Sequence, residues 1–300
     1  MVVIKKLHKK EVKQALQNGM NRTVNIVFWL CMAAALWFVM QVFLWASFKI
    51  PTDSMEPELT TGDNLLVWKP TIGPRLFDLS ATMQLEQTEI YRLPGFKKIQ
   101  RNDILVFNFP HPNTWDKIEM HILKYYIKRC VGLPGDTLSI RNGFFHVNGV
   151  STPLGNREAQ ERITETEKFQ DGIFHSFPYD SIIGWNIKEF GPLHIPAKGD
   201  SIRMNRTNFV LYKKLIEWEQ QGTLEYKDST SFLNEKPIDG YRFLKNYYFM
   251  AGDNGMNSQD SRYWGMLPEE YIVGKPWFIW KSVDPYTGKF RWERFLKVIH

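Results

Sequence analysis

Two cysteines in 300 residues leave no material for a disulfide framework. Cys31 lies in an apolar run and Cys130 in a strand-like one far from it, so no bridge between them is expected. A basic groove is missing too. The formal charge is +6, yet Lys5, Lys6, Lys9, Lys10, Lys13 and Arg22 against Glu11 place +5 of it in the first 22 residues. The rest is almost neutral and offers nothing that could track a phosphate backbone, which argues against a nucleic-acid partner. Internal repeats and low-complexity tracts are absent. With 43% hydrophobic residues the chain can fill a sizeable core, so global disorder is excluded.

Charge is also lacking from Thr23 to Phe48, where Ile26, Phe28, Trp29, Leu30, Leu36, Phe38, Val39, Phe43 and Leu44 dominate. A bilayer core needs roughly 20 helical residues, whereas the apolar core of a cleaved signal peptide runs only about 7–15. The segment therefore reads as a retained, single-pass anchor rather than as a buried core helix. The lysines before it stay cytoplasmic under the positive-inside rule, and the chain after Lys49 emerges on the extracytoplasmic side of the cell membrane. The expected division is a basic tail over 1–22, a transmembrane anchor over 23–48, a main domain over 49–150 and 245–300, and an inserted subdomain or extended loops over 151–244.

Beyond the anchor, runs rich in β-branched and aromatic residues alternate with turn pairs. Asn64–Trp68, Asp103–Phe107, Tyr125–Val131, Thr137–Ile140 and Phe144–Val147 read as strands, and Asn142-Gly143 between two of them reads as a hairpin turn. Helical spacing is confined mainly to Asn208–Gln221, through Leu211, Leu215 and Trp218. The fold class expected is mostly β, an antiparallel sheet or barrel-like domain behind an N-terminal transmembrane helix.

Three clusters carry chemistry. In Pro51-Thr52-Asp53-Ser54-Met55-Glu56-Pro57, Ser54 is a candidate nucleophile held within about 20 Å of the membrane surface by a short extended link. The alternative is that a serine between two prolines is a plain turn hydroxyl. In the run Tyr125–Asp136, period-two alternation puts Tyr126, Lys128 and Cys130 on one strand face and Tyr125, Ile127 and Arg129 on the other. Lys128 is a candidate general base, which requires burial to bring its pKa from about 10.4 toward neutrality. The alternative is an edge-strand lysine with its ammonium in water. The third cluster, Gly252–Gly265, is a long polar turn. Calcium competes for it, but Asp253 and Asp260 stand seven apart and Arg262 adds positive charge, which suits a calcium loop poorly. Asp260 and Arg262 can pair instead, leaving Ser258 to bond another side chain.

Taken in order, the anchor, Ser54-Met55-Glu56-Pro57, Lys128–Asp136 and Gly252–Gly265 resemble the type I signal peptidase (leader peptidase) family of bacteria. Arg101–Phe107 is similar to that family's Arg-Gly-Asp-turned strand, with Asn102 in place of glycine, and Gly255 stands where arginine is common. Residues 151–244 carry no matching motif.

The resemblance implies a Ser/Lys-dyad endopeptidase that cuts signal peptides from exported preproteins at the bilayer. On it, Ser54 is the nucleophile, Lys128 the base, and Thr52 with the Ser54 backbone N–H the oxyanion hole. Ser258 orients the amine, and Asp260 and Arg262 form a structural ion pair. The substrate is expected to lie extended, with small residues at the first and third positions before the cut, against walls including Ile50, Met55, Tyr126 and Ile127. No metal or organic cofactor is required. A membrane-tethered β module that only binds an envelope partner is the competing class.

Overall fold

A computed structural model describes residues 2–83 and 88–299, with side chains described from residue 17 onward except at Leu79 and Met83. The basic side chains of Lys5 to Lys13 therefore lie outside what is described. Two compact units result, Met1–Trp45 and Ala46–His300.

The first unit is essentially one helix, α1 (Val2–Phe43). It contains no proline, and Ala33–Ala35 with several leucines and methionines favour helix. Its apolar part, Gln17–Phe43, is 27 residues long, or about 40 Å at 1.5 Å per residue. That length and composition suffice to cross a bilayer. Its side chains face outward, Trp29 and Phe38 being 68% exposed. The uncharged run Thr23–Phe48 does not stay helical to its end, because Trp45–Lys49 becomes a strand.

The second unit is built on a seven-stranded sheet. Its strands are β1 (Trp45–Lys49), β2 (Asp63–Trp68), β3 (Ile104–Asn108), β4 (Tyr125–Gly132), β5 (Tyr247–Ala251), β6 (Leu267–Pro268) and β7 (Ile272–Ser282), in the spatial order β1-β2-β7-β3-β4-β5-β6. The β2/β7, β7/β3, β3/β4, β4/β5 and β5/β6 pairs are antiparallel, so the fold is mostly antiparallel β. β3 and β4 are in register with Leu105 opposite Lys128 and Val106 opposite Ile127. Alternation then sorts the side chains. Ile104, Val106 and Ile127 join a core with Ile50, Met55, Leu59 and Leu65, while Leu105, Phe107 and Cys130 join the larger core on the other face.

A smaller sheet pairs Thr137–Arg141 with Phe144–Val147 and with Phe190–His194. Arg141 stands opposite Phe144 across a two-residue turn in which Asn142 (φ 48°) and Gly143 (φ 83°) are both left-handed. That is the twist a tight hairpin requires, and only glycine and asparagine adopt it readily.

Two helices lie within residues 151–244. The helix α2 (Arg157–Glu165) is capped by Asn156, whose side chain accepts from the Ala159 N–H at 2.9 Å. It buries Ala159, Gln160 and Ile163. The helix α3 (Arg206–Gln220) buries Leu211, Leu215 and Trp218, the stripe its sequence spacing predicts. Near its end, Glu219 accepts hydrogen bonds from the Tyr241 and Tyr247 hydroxyls at 2.7 and 2.8 Å and from the backbone of Leu244 and Lys245. Residues of this stretch share the larger core with the seven-stranded sheet.

Candidate active site

Ser54 and Lys128, 74 positions apart, meet at 2.5 Å, with the lysine Nζ bonded to the serine Oγ. Both are buried, at 8% and 4% exposure. Ser54 sits on the turn that follows β1, where its neighbour Met55 anchors in the core with Ile50 and Ile127. Lys128 projects from the middle of β4, with its Nζ 5.4 Å from the centre of the Tyr126 ring. Burial is the main influence on the amine and pulls its pKa down to about 8, against the opposing pull of the Asp260 carboxylate. A substantial neutral fraction follows at mildly alkaline pH. The Thr52 hydroxyl lies 3.5 Å from Ser54 Oγ, on the exposed part of the same turn.

The Gly252–Gly265 segment closes over this pair. Asp260 and Arg262 are buried, and their side chains are joined by two hydrogen bonds, Nε to Oδ1 at 2.8 Å and Nη2 to Oδ2 at 2.7 Å. Burial alone would raise the Asp260 carboxyl, but the Arg262 charge and hydrogen bonds hold it below the ordinary aspartate range. The same guanidinium donates to the Gly255 carbonyl at 2.9 Å, and Asp260 accepts from the Gly252 N–H at 2.8 Å. Ser258 is buried beside them, and its Oγ finds no partner in good hydrogen-bond geometry among the described residues. Gly252 is a close approach: a Cβ there would stand 2.1 Å from Ser258 Oγ and 2.7 Å from the Ser54 carbonyl oxygen.

Several contacts lie outside the sequence expectations. Arg129, next to Lys128 on the opposite strand face, grips Asp253 with Nε and Nη2 at 2.7 and 2.6 Å. Both aspartates of the third cluster are thus committed to guanidiniums rather than gathered around a cation. Asp53 is held by Asn257 at 2.9 and 3.0 Å. The dense run of Asp and Asn was the available signal, but nothing local says which residue reaches which.

A cleft of about 770 Å³ opens on Ser54 and Lys128, lined by Ser47–Met55, Leu123, Tyr125–Lys128, Asn257 and Gln259. Ile50, Met55, Tyr126 and Ile127 all contribute to its walls. It can take an extended, partly apolar chain with its backbone beside a serine hydroxyl and a buried amine.

Comparison with known proteins defines the class as a serine endopeptidase. A family model described as "Signal peptidase, peptidase S26" matches residues 22–281, and the chain belongs to that family. It is 30% identical over 256 residues to the signal peptidase I of Pseudomonas aeruginosa, covering 81% of this chain and 67% of that protein. The signal peptidase I of Buchnera aphidicola subsp. Acyrthosiphon pisum is 29% identical over 259 residues, or 82% of this chain and 71% of that protein. A solved signal peptidase I from Enterococcus faecalis V583 shares 20% identity, over 60% of this chain and 97% of that one, with a TM-score of 0.29.

Proposed function

We propose that the chain is a membrane-anchored signal peptidase with Ser54 and Lys128 as its catalytic dyad, removing N-terminal signal peptides from exported preproteins. The 2.5 Å contact between a buried amine and a buried serine hydroxyl carries this reading; family membership supplies the substrate class.

In the reaction, the neutral Lys128 amine takes the Ser54 proton as Oγ attacks the scissile carbonyl. The Thr52 hydroxyl and the Ser54 backbone N–H stabilise the oxyanion. The new ammonium then protonates the leaving amine, and the acyl-enzyme is hydrolysed by a water that the same amine deprotonates. Ser258 would orient the amine, as the family resemblance implies, from a loop that Arg262 and Asp260 pin at the Gly255 carbonyl and the Gly252 N–H. The preprotein lies extended in the cleft, its small residues facing Ile50, Met55, Tyr126 and Ile127.

Gln17–Phe43 would span the bilayer with the basic tail cytoplasmic. Residues 49–150 and 245–300 would form the catalytic domain on the far side, elaborated by 151–244. The apolar, outward-facing surface of that helix supports the anchor.

Cleavage of a preprotein by detergent-solubilised protein tests the dyad. Ser54→Ala and Lys128→Ala should each reduce it to background, and persistence in either variant overturns the assignment. In sealed inverted vesicles, protease added outside should spare residues 46–300; their digestion reverses the topology.

A further inference from the structure

Asp53 has no part in the chemistry above, yet its side chain and main chain are held by the opposite loop. Asn257 Nδ2 donates to both carboxylate oxygens, at 3.0 and 2.9 Å. A carboxylate only accepts, so the contact also fixes which end of the Asn257 amide faces it. Asn254 adds a long contact from Nδ2 to the Asp53 carbonyl at 3.4 Å, and its backbone N–H donates to the Ser54 carbonyl at 3.0 Å. The absent Cβ of Gly252 lets that carbonyl approach. The gripping loop is itself pinned from behind, by Arg262 at the Gly255 carbonyl and by Asp260 at the Gly252 N–H.

A hold of this kind matters because Pro51 and Thr52 are exposed, so little packing restrains the turn on that side. The Lys128–Ser54 bond is a weak positional restraint when the amine is neutral. A carboxylate–amide contact is charge-assisted and stronger.

We propose that Asn257, acting through Asp53, is a positioning residue that fixes the Ser54 hydroxyl on the line to Lys128 and keeps the Thr52 hydroxyl turned to the same point. The proposal rests on the Ser54–Lys128 reading. It gives Asn257 a role beyond lining the cleft and assigns the loop a task besides supporting the amine.

The test uses the full chain in detergent with a preprotein, measuring kcat and KM across pH for Asp53→Ala, Asn257→Ala, their combination, Asp53→Asn, and Ser54→Ala. Each alanine variant should lose roughly 10- to 100-fold in kcat, the scale of a sub-ångström to 1 Å misplacement, with KM changed far less. The double variant should be no worse than Asp53→Ala, which by itself already removes the Asn257 contacts together with a long one from Asn254 Nδ2 at 3.5 Å. Asp53→Asn should recover most of the loss, because an amide oxygen still accepts from Nδ2. Its acid limb should move to lower pH, since the carboxylate that favours the Lys128 ammonium is gone. Wild-type kcat in both alanine variants, losses that multiply in the double, a loss confined to KM, or no recovery in Asp53→Asn would overturn the positioning role. Those results with an inactive Ser54→Ala leave the dyad standing, whereas an active Ser54→Ala removes the dyad and the positioning role together.

Discussion

Ile163 of α2 packs directly onto Gly255: a Cβ at that glycine would come within 2.8 Å of Ile163 Cδ1 and 3.6 Å of an Arg262 guanidinium nitrogen. Where the family resemblance leads to an expectation of arginine, this chain has Gly255, and Ile163 from a helix of residues 151–244 takes the space beside it. An arginine would meet an isoleucine and a like charge. Ile163 shares a small apolar cluster with Ile187, Tyr263 and Met256, so α2 buttresses the segment that carries Ser258 and Asp260.

Gly255→Ala should therefore be destabilising by about 1 kcal/mol, the low end of overpacking, because the far end of one isoleucine can yield. Ile163→Val, alone, should cost about 1 kcal/mol as a lost methyl. Combined, they should be more stable than the sum of the single changes by about 1 kcal/mol. Urea unfolding of the four proteins measures this cycle, and simple additivity would show that the two side chains do not compete for the same space.

Burial of Lys128 makes activity and stability depend on pH in linked ways. On the proposed dyad the amine acts only when neutral, so kcat/KM should rise with pH and level off above about 8. For stability, the unfolded chain keeps the ordinary value of 10.5 while the folded one has about 8. Between those values the unfolded state binds more protons, so stability climbs as pH rises through that window. Below it the fold carries the full penalty, roughly 3 kcal/mol. Lys128→Met should abolish cleavage, raise stability near neutrality, and flatten the alkaline climb in pH-dependent denaturation. An activity limb near 10 would mean that the amine is not desolvated.

Much of this frame was legible in the sequence because its signals are local. Alternation along Tyr125–Val131 sorted Ile127 from Lys128, and Asn142-Gly143 announced a hairpin whose register depends only on its two turn residues. The three motifs named Ser54 and Lys128 without showing the distance between them. Other features were hidden for physical reasons. In Arg157–Glu165 the charges mask a stripe of only Ala159, Gln160 and Ile163, so the helix leaves no clear apolar period in the sequence. The uncharged run to Phe48 has no compositional break where α1 gives way to β1, since sheet pairing decides that boundary. Arg129–Asp253 and Asp53–Asn257 join residues 124 and 204 positions apart, and no local pattern encodes such pairings.

The Asp260–Arg262 pair separates what supports the fold from what tunes the amine. Both side chains are almost wholly shielded from water, so Asp260→Asn leaves a guanidinium buried without its counter-charge and should cost about 3–5 kcal/mol. Replacing both by apolar residues of similar volume should cost less than either single change, since no unpaired charge remains. The effect on Lys128 runs in a definite direction. Asp260 raises the lysine pKa and Arg262 lowers it, so Asp260→Asn removes the favourable charge and leaves the unfavourable one. The residual activity of Asp260→Asn, assayed where the protein remains folded, should show its acid limb at lower pH than wild type. Arg262→Met should move it the other way. Limbs that stay in place while both variants lose stability would confine the pair to holding the loop.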